Sequence, residues 1–122
     1  MRRLLFPVDV VAEASGRLYV GGRVCGDLIR LGDSFTAAVP APDWEQGIAA
    51  PKARPVSLLV RGILLYRKYM NQVDHGMSAE LELEPLTGER PIVGEALVGE
   101  SVAPAFAEYE VLGSGEFHVK PV

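Results

Sequence analysis

Residues Ala14 to Asp33, ASGRLYVGGRVCGDLIRLGD, decide the fold. They read as a strand, a bend at Gly21-Gly22, a turn at Cys25-Gly26-Asp27, and a short apolar run stopped by Gly32-Asp33. The apolar positions are mostly β-branched or aromatic, and glycines stand where the backbone must bend. A glycine pair in mid-strand weakens a flat ladder but suits the sharp coiling that closes a small barrel.

Outward from this stretch the chain stays β-patterned. Leu4 to Glu13 forms a first strand, in which Pro7 implies an edge or a bulge. Ala14 to Arg17 turns the chain back into Leu18 to Val24, then Leu28 to Leu31, then Ser34 to Val39. Pro40 to Pro55 differs in kind: a long, proline-punctuated loop with room for one helical turn at Trp44 to Ile48. Val56 to Tyr66 is the most apolar run. Val56, Leu58 and Val60 share one parity, Ile63 and Leu65 the other, and the phase change predicts a β-bulge at Gly62. In Met77 to Glu84, Met77, Ala79, Leu81 and Leu83 are expected inward and Glu80, Glu82 and Glu84 in water. Ile92 to Val98 follows as a last barrel strand around Gly94.

The end of the chain has an arguable register. A three-residue loop, Gly113-Ser114-Gly115, pairs Val111 with Phe117 and Tyr109 with Val119, and sets Glu110 opposite His118. A two-residue loop would put Val111 opposite Glu116, so the three-residue loop is expected.

A chain of 122 residues with net charge −4 is long enough for one core, and its acidity weakens unaided attraction to nucleic acid or anionic membrane. The single Cys25 forms no internal disulfide and fits a reducing compartment. The opening MRRLLFPVDVVAEA superficially resembles a signal peptide, but Pro7 and Asp9 interrupt the apolar region, so a cytoplasmic location is expected. No apolar run reaches the roughly 18 residues that a membrane helix needs.

The pattern S-G-R-x-x-V-x-G-R-V-x-x-x-x-I-x-x-G-D resembles the opening of the second domain of elongation factor Tu, the β-barrel shared by translational GTPases. Val60-Arg61-Gly62-Ile63-Leu64-Leu65-Tyr66-Arg67-Lys68 resembles that family's V-x-G-[VI]-x-[MI]-[FHY]-R-K strand. Gly76 falls where the family has the glycine of A-G-[DE]-N-V, and Gly94 to Val98 resembles G-x-V-[LI]. The resemblance spans Leu4 to Gly99. It implies an all-β, closed, Greek-key-type barrel of six or seven strands over residues 1–100. Where that family continues into a third domain, residues 101–122 are expected here as an added C-terminal hairpin packed on the barrel.

Departures from the family's pattern shape the functional expectation. The chain has no G-x-x-x-x-G-K-[ST], so no nucleotide is expected to bind and no GTPase activity to follow. In the family this barrel holds the aminoacylated end of transfer RNA, with an acidic residue and an asparagine at positions matched here by Leu64 and Ser78. A leucine accepts no hydrogen bond from a ribose or base, so that pocket is expected to be lost.

No catalytic constellation, metal set or cofactor motif is evident. His75 reads as a solvated turn histidine and His118 as the partner of Glu110. Cys25 lacks a flanking cation or helix start to activate it. Two features bear on binding. Arg61, Tyr66, Arg67, Lys68 and Tyr69 form a basic-aromatic cluster, which suits either RNA contact or an ordinary charged strand end. Trp44, the only tryptophan, is either an exposed anchor for a partner protein or a lid on the barrel. The expectation is a non-enzymatic module docking to a protein in a translation-linked or regulatory context, with an RNA-binding accessory as the alternative.

Overall fold

Alternating apolar side chains on six strands need a common interior, and closing the sheet on itself supplies one while removing its edges. The structure, a computed structural model, describes residues 1–101 and the backbone of 109–111 and 117–119. The barrel strands are β1 (Arg2–Ala14), β2 (Arg17–Arg23), β4 (Ser34–Pro40), β5 (Arg54–Leu65), β8 (Ser78–Pro85) and β9 (Glu95–Ser101). They run antiparallel in the order β4-β9-β1-β2-β8-β5, and β4 pairs with β5 to complete the ring. Three short strands accompany them: β3 (Ile29–Arg30), β6 (Lys68–Tyr69) and β7 (Gln72–Val73). β6 extends the main sheet beside β5, and β3 pairs with β7.

The interior is packed by residues from every barrel strand. Phe6 of β1, Val20 of β2, Phe35 of β4, Leu58 and Ile63 of β5, Leu81 of β8 and Leu97 of β9 are all fully buried. The rings of Phe6 and Phe35 meet at 6.5 Å. Ile29 and Val73 from the small ribbon belong to the same core.

Local irregularities set the curvature. β5 carries the expected bulge: its register against β8 shifts between Val60 and Gly62, leaving Arg61 as the extra residue. Val60 and Ile63 are thereby both buried despite their opposite parity. A second shift lies in β1 between Val8 and Val10. The edge reading of Pro7 is corrected, since β1 pairs with β2 on one side and β9 on the other; the bulge reading is the one that holds. Gly22 is needed for close approach: a Cβ there would collide with the Pro7 carbonyl oxygen and crowd the Phe6 ring.

Two other expectations are corrected. Met77 precedes β8 and is 37% exposed rather than inward, because β8 begins at Ser78 after the turn that ends in the Met77 N–H to Asp74 carbonyl bond. The last barrel strand begins at Glu95, not Ile92. Gly94 sits at φ +96 in a turn closed by the Glu95 N–H to Ile92 carbonyl bond, which leaves Ile92 and Val93 exposed.

A buried ion pair ties β1 to the turn that leads into β4, and its arginine also reaches β9. The Arg2 guanidinium forks onto both carboxylate oxygens of Asp33 at 2.8 Å each, and also donates to the Leu28 carbonyl and Ser101 Oγ. Asp33 in turn accepts from the Arg30 backbone N–H at 2.8 Å. Elsewhere Arg54 forks onto Glu95 and reaches Glu89, which pins the loop between β8 and β9. Its hydrogen bond to Glu95 raises the guanidinium above its ordinary value despite partial burial, so it stays charged.

In the C-terminal hairpin, β10 (Tyr109–Val111) pairs with β11 (Phe117–Val119). Its register is the expected one: Tyr109 with Val119, Glu110 with His118, Val111 with Phe117. The Gly113 to Gly115 loop, and the packing of residues 102–122 on the barrel, lie outside the described residues.

Candidate functional site

Two concave surfaces carry the residues singled out in the sequence, and they lie on different parts of the ring. The first is built by the β5–β6 hairpin. Leu65 pairs with Lys68, so Tyr66 and Arg67 form a two-residue turn, and both have positive φ (50° and 66°). That geometry matches the right-handed twist of a tight hairpin but is costly for residues with a Cβ. The turn holds Tyr66 93% exposed.

Behind it lies an open depression of about 700 Å³. Tyr66, Arg67 and Leu64 border it on one side, and Met77, Ser78 and Val10 on the other. Leu64 and Ser78, the positions matching the family's transfer-RNA contacts, therefore share one surface.

The rest of the basic-aromatic cluster is divided. Arg61 turns to Glu84 of β8 at 3.2 Å. The Tyr69 ring covers Gly62, where an added Cβ would come within 3.3 Å of it. Tyr69 lies within electrostatic reach of Arg17, whose guanidinium is raised first by its hydrogen bond to Tyr19 and then by the charge of Glu82. Lys68 is exposed at the hairpin return. The structure thus brings Tyr66 and Arg67 to the depression and leaves Arg61 and Tyr69 among the β8 glutamates.

The second surface is built by the Pro40 to Pro55 segment, which is a strap. Its centre is a 3₁₀ helix, Asp43–Ala49, broken at Gly47 by positive φ. The strap lies over β4, β9 and β1, the arc of the barrel opposite β8. Trp44 packs with Leu5 and Ala53 on a small cluster of Ala37, Val39, Ala50 and Val98. It is half-buried, and its indole N–H finds no acceptor among the described residues.

Between the strap and the Cys25–Asp27 turn runs a cleft of about 290 Å³. Leu5, Trp44, Ile48 and Val98 give it an apolar wall, and Arg3, Asp27, Glu45 and Glu100 line it with charge. The far wall is held rigidly. Cys25 and Gly26 donate to the Leu5 carbonyl, Asp27 donates to the Arg3 carbonyl, and the Arg3 N–H returns a bond to the Asp27 carboxylate at 2.7 Å. The His75 ring braces this turn by donating from Nδ1 to the Gly26 carbonyl at 2.8 Å. Cys25 is an exposed free thiol beside the same cleft.

Sequence reasoning singled out Trp44 but missed the cleft's other wall. Nothing local in Cys25-Gly26-Asp27 announces that its backbone zips onto β1. Among the described residues, no three His, Cys, Asp or Glu side chains are grouped to hold a metal ion. No described helix is long and apolar enough to cross a membrane.

A closed six-stranded antiparallel barrel with one added strand is the fold of the translation-factor β-barrel, as in the second domain of elongation factor Tu. Among solved structures, the chain is similar to translation elongation factor SelB from Methanococcus maripaludis in its apo form. The two agree with a TM-score of 0.58 at 14% identity, over 89% of this chain and 20% of that one. The chain thus spans about a fifth of that protein's length. No family model and no curated protein matches the sequence.

Proposed function

We propose that this barrel is a non-enzymatic binding module with a translation-linked role, and that it docks a protein partner through the Trp44 cleft. The observation that carries the reading is Trp44 itself. Its indole is anchored on the barrel while lining an open cleft with apolar walls and a charged rim, the make-up of a protein-docking pocket. The translation context comes from the fold alone.

A second reading, RNA contact at the depression, is favoured by one observation. Arg23 and Arg67 line the depression with the exposed Tyr66, and neither they nor Lys68 on the adjoining hairpin strand form an ion pair with a described residue. Against it stand the apolar Leu64 at the matching position and the carboxylates of β8. Glu84 already takes Arg61, and Glu82 takes Arg17.

Affinity capture from native lysate on the immobilised chain separates the two. The expected outcome is a protein retained after ribonuclease treatment, reduced by Trp44→Ala and unaffected by Arg67→Ala/Lys68→Ala. Ribonuclease-sensitive retention lost in the second variant would replace the first reading with the second.

A further inference from the structure

We propose that the Trp44 cleft receives a lysine or arginine side chain from a basic segment of the partner. The proposal rests on the docking reading above and narrows it to one chemistry.

The argument starts from charge. Of the ionisable groups lining the cleft, Asp27, Glu45 and Glu100 are carboxylates and only Arg3 is a cation. Asp27 is held in place by the Arg3 backbone N–H, while Glu45 and Glu100 form no ion pair with a described residue and are exposed at the rim. An anionic segment would be repelled. A purely apolar one would desolvate the rim carboxylates without a partner for them.

Shape gives the second step. At about 290 Å³ the cleft sits at the small end of ligand pockets, and its wall is apolar below a charged rim. That profile suits a side chain with an aliphatic stem and a cationic head. The stem lies along Leu5, Val98 and Ile48, the head reaches Glu45 and Glu100, and the Trp44 ring adds attraction for a cation. The depression behind Tyr66 offers no such preference, because its lining balances Asp9 and Glu80 against Arg23 and Arg67.

Trp44 is the only tryptophan in the chain, so its emission reports on the cleft. The full chain is titrated with a blocked Gly-Arg-Arg-Arg-Gly peptide and with Gly-Gln-Gln-Gln-Gly. The expected result is a saturable change with the first and none with the second, weakening as salt rises. Glu45→Gln/Glu100→Gln should lower affinity about fivefold to tenfold. Ile48→Lys, at an exposed position on the cleft wall, should abolish the response. Asp9→Asn/Glu80→Gln, the same charge change at the other surface, should leave it intact.

Equal responses to both peptides would overturn the proposal. So would an equal loss in the Asp9/Glu80 variant, which would mean attraction to the acidic surface as a whole. Emission that changes with protein concentration alone would assign the cleft to a second copy of this chain and would also overturn it. Failure of the lysate capture with a selective arginine response would sink the docking reading while leaving the cleft's chemistry standing. Capture without charge selectivity would do the reverse.

Discussion

Asp33 is a buried carboxylate with two partners. Its side chain is 1% exposed, and its carboxylate serves the Arg2 fork and the Arg30 N–H at once. Removing one member of a buried pair strands the other charge, so Asp33→Ala is expected to cost about 3–5 kcal/mol, measured as a lower urea midpoint. Arg2→Met/Asp33→Asn should recover much of that loss. It removes the stranded guanidinium and leaves an acceptor for the Arg30 N–H. Gly22 is sensitive for a different reason, having no room rather than no partner. Gly22→Ala drives a methyl into the Pro7 carbonyl and should cost about 1–3 kcal/mol. Gly88→Ala, where an added Cβ meets nothing within 4 Å, should leave the thermal midpoint unchanged or slightly higher. The sequence pattern flagged both Asp33 and Gly22 as positions of note. It could not give their reasons, because Arg2 and Pro7 lie far from them along the chain and meet them only once the sheet has closed.

At the scale of elements, the hairpin between β5 and β6 sets stability against function. A two-residue turn with positive φ at both positions favours Asn-Gly, yet this chain has Tyr66-Arg67. Non-glycine residues in that region cost on the order of 1 kcal/mol or more each. Tyr66→Asn/Arg67→Gly should therefore raise the thermal midpoint by several degrees, read by circular dichroism. If the exposed tyrosine serves RNA, the same variant loses salt-dependent RNA binding while gaining stability. The bulge in β5 was legible because an apolar run that changes parity needs an extra residue if both halves are to face the core, and Val60 and Ile63 both come out buried. The start of β9 was not legible, since Ile92 and Val93 look like strand residues and only the turn at Gly94 exposes them. Trp44 was readable as either anchor or lid. It is partly both, because the strap that packs it on Val98 also forms one wall of a cleft. The opposite wall comes from residues 25–27, which a reading along the chain places in a different element.

For the whole molecule, closure is the decisive event, and it joins distant parts of the chain. β1 pairs with β9 from Arg2 opposite Ser101 to Pro7 opposite Ala96, and β9 then pairs with β4. Without β9 the ring has two open edges, and Phe6 and Phe35 lose the strand between them. Every pairing of the six-stranded ring is complete by Ser101, however, including the Ser101 hydroxyl that accepts from Arg2. A chain of residues 1–101 is therefore expected to fold, with dispersed amide resonances and one cooperative unfolding transition. A chain of residues 1–94 should do neither. Because the last strand must meet the first, the pairing contacts are non-local, and folding of the shorter competent chain should be slow for its size, in milliseconds to seconds. Stopped-flow refolding of residues 1–101 reads this directly. If residues 1–94 refold cooperatively, β9 is an added strand rather than the closing one, and the account of this barrel as a ring without edges fails with it.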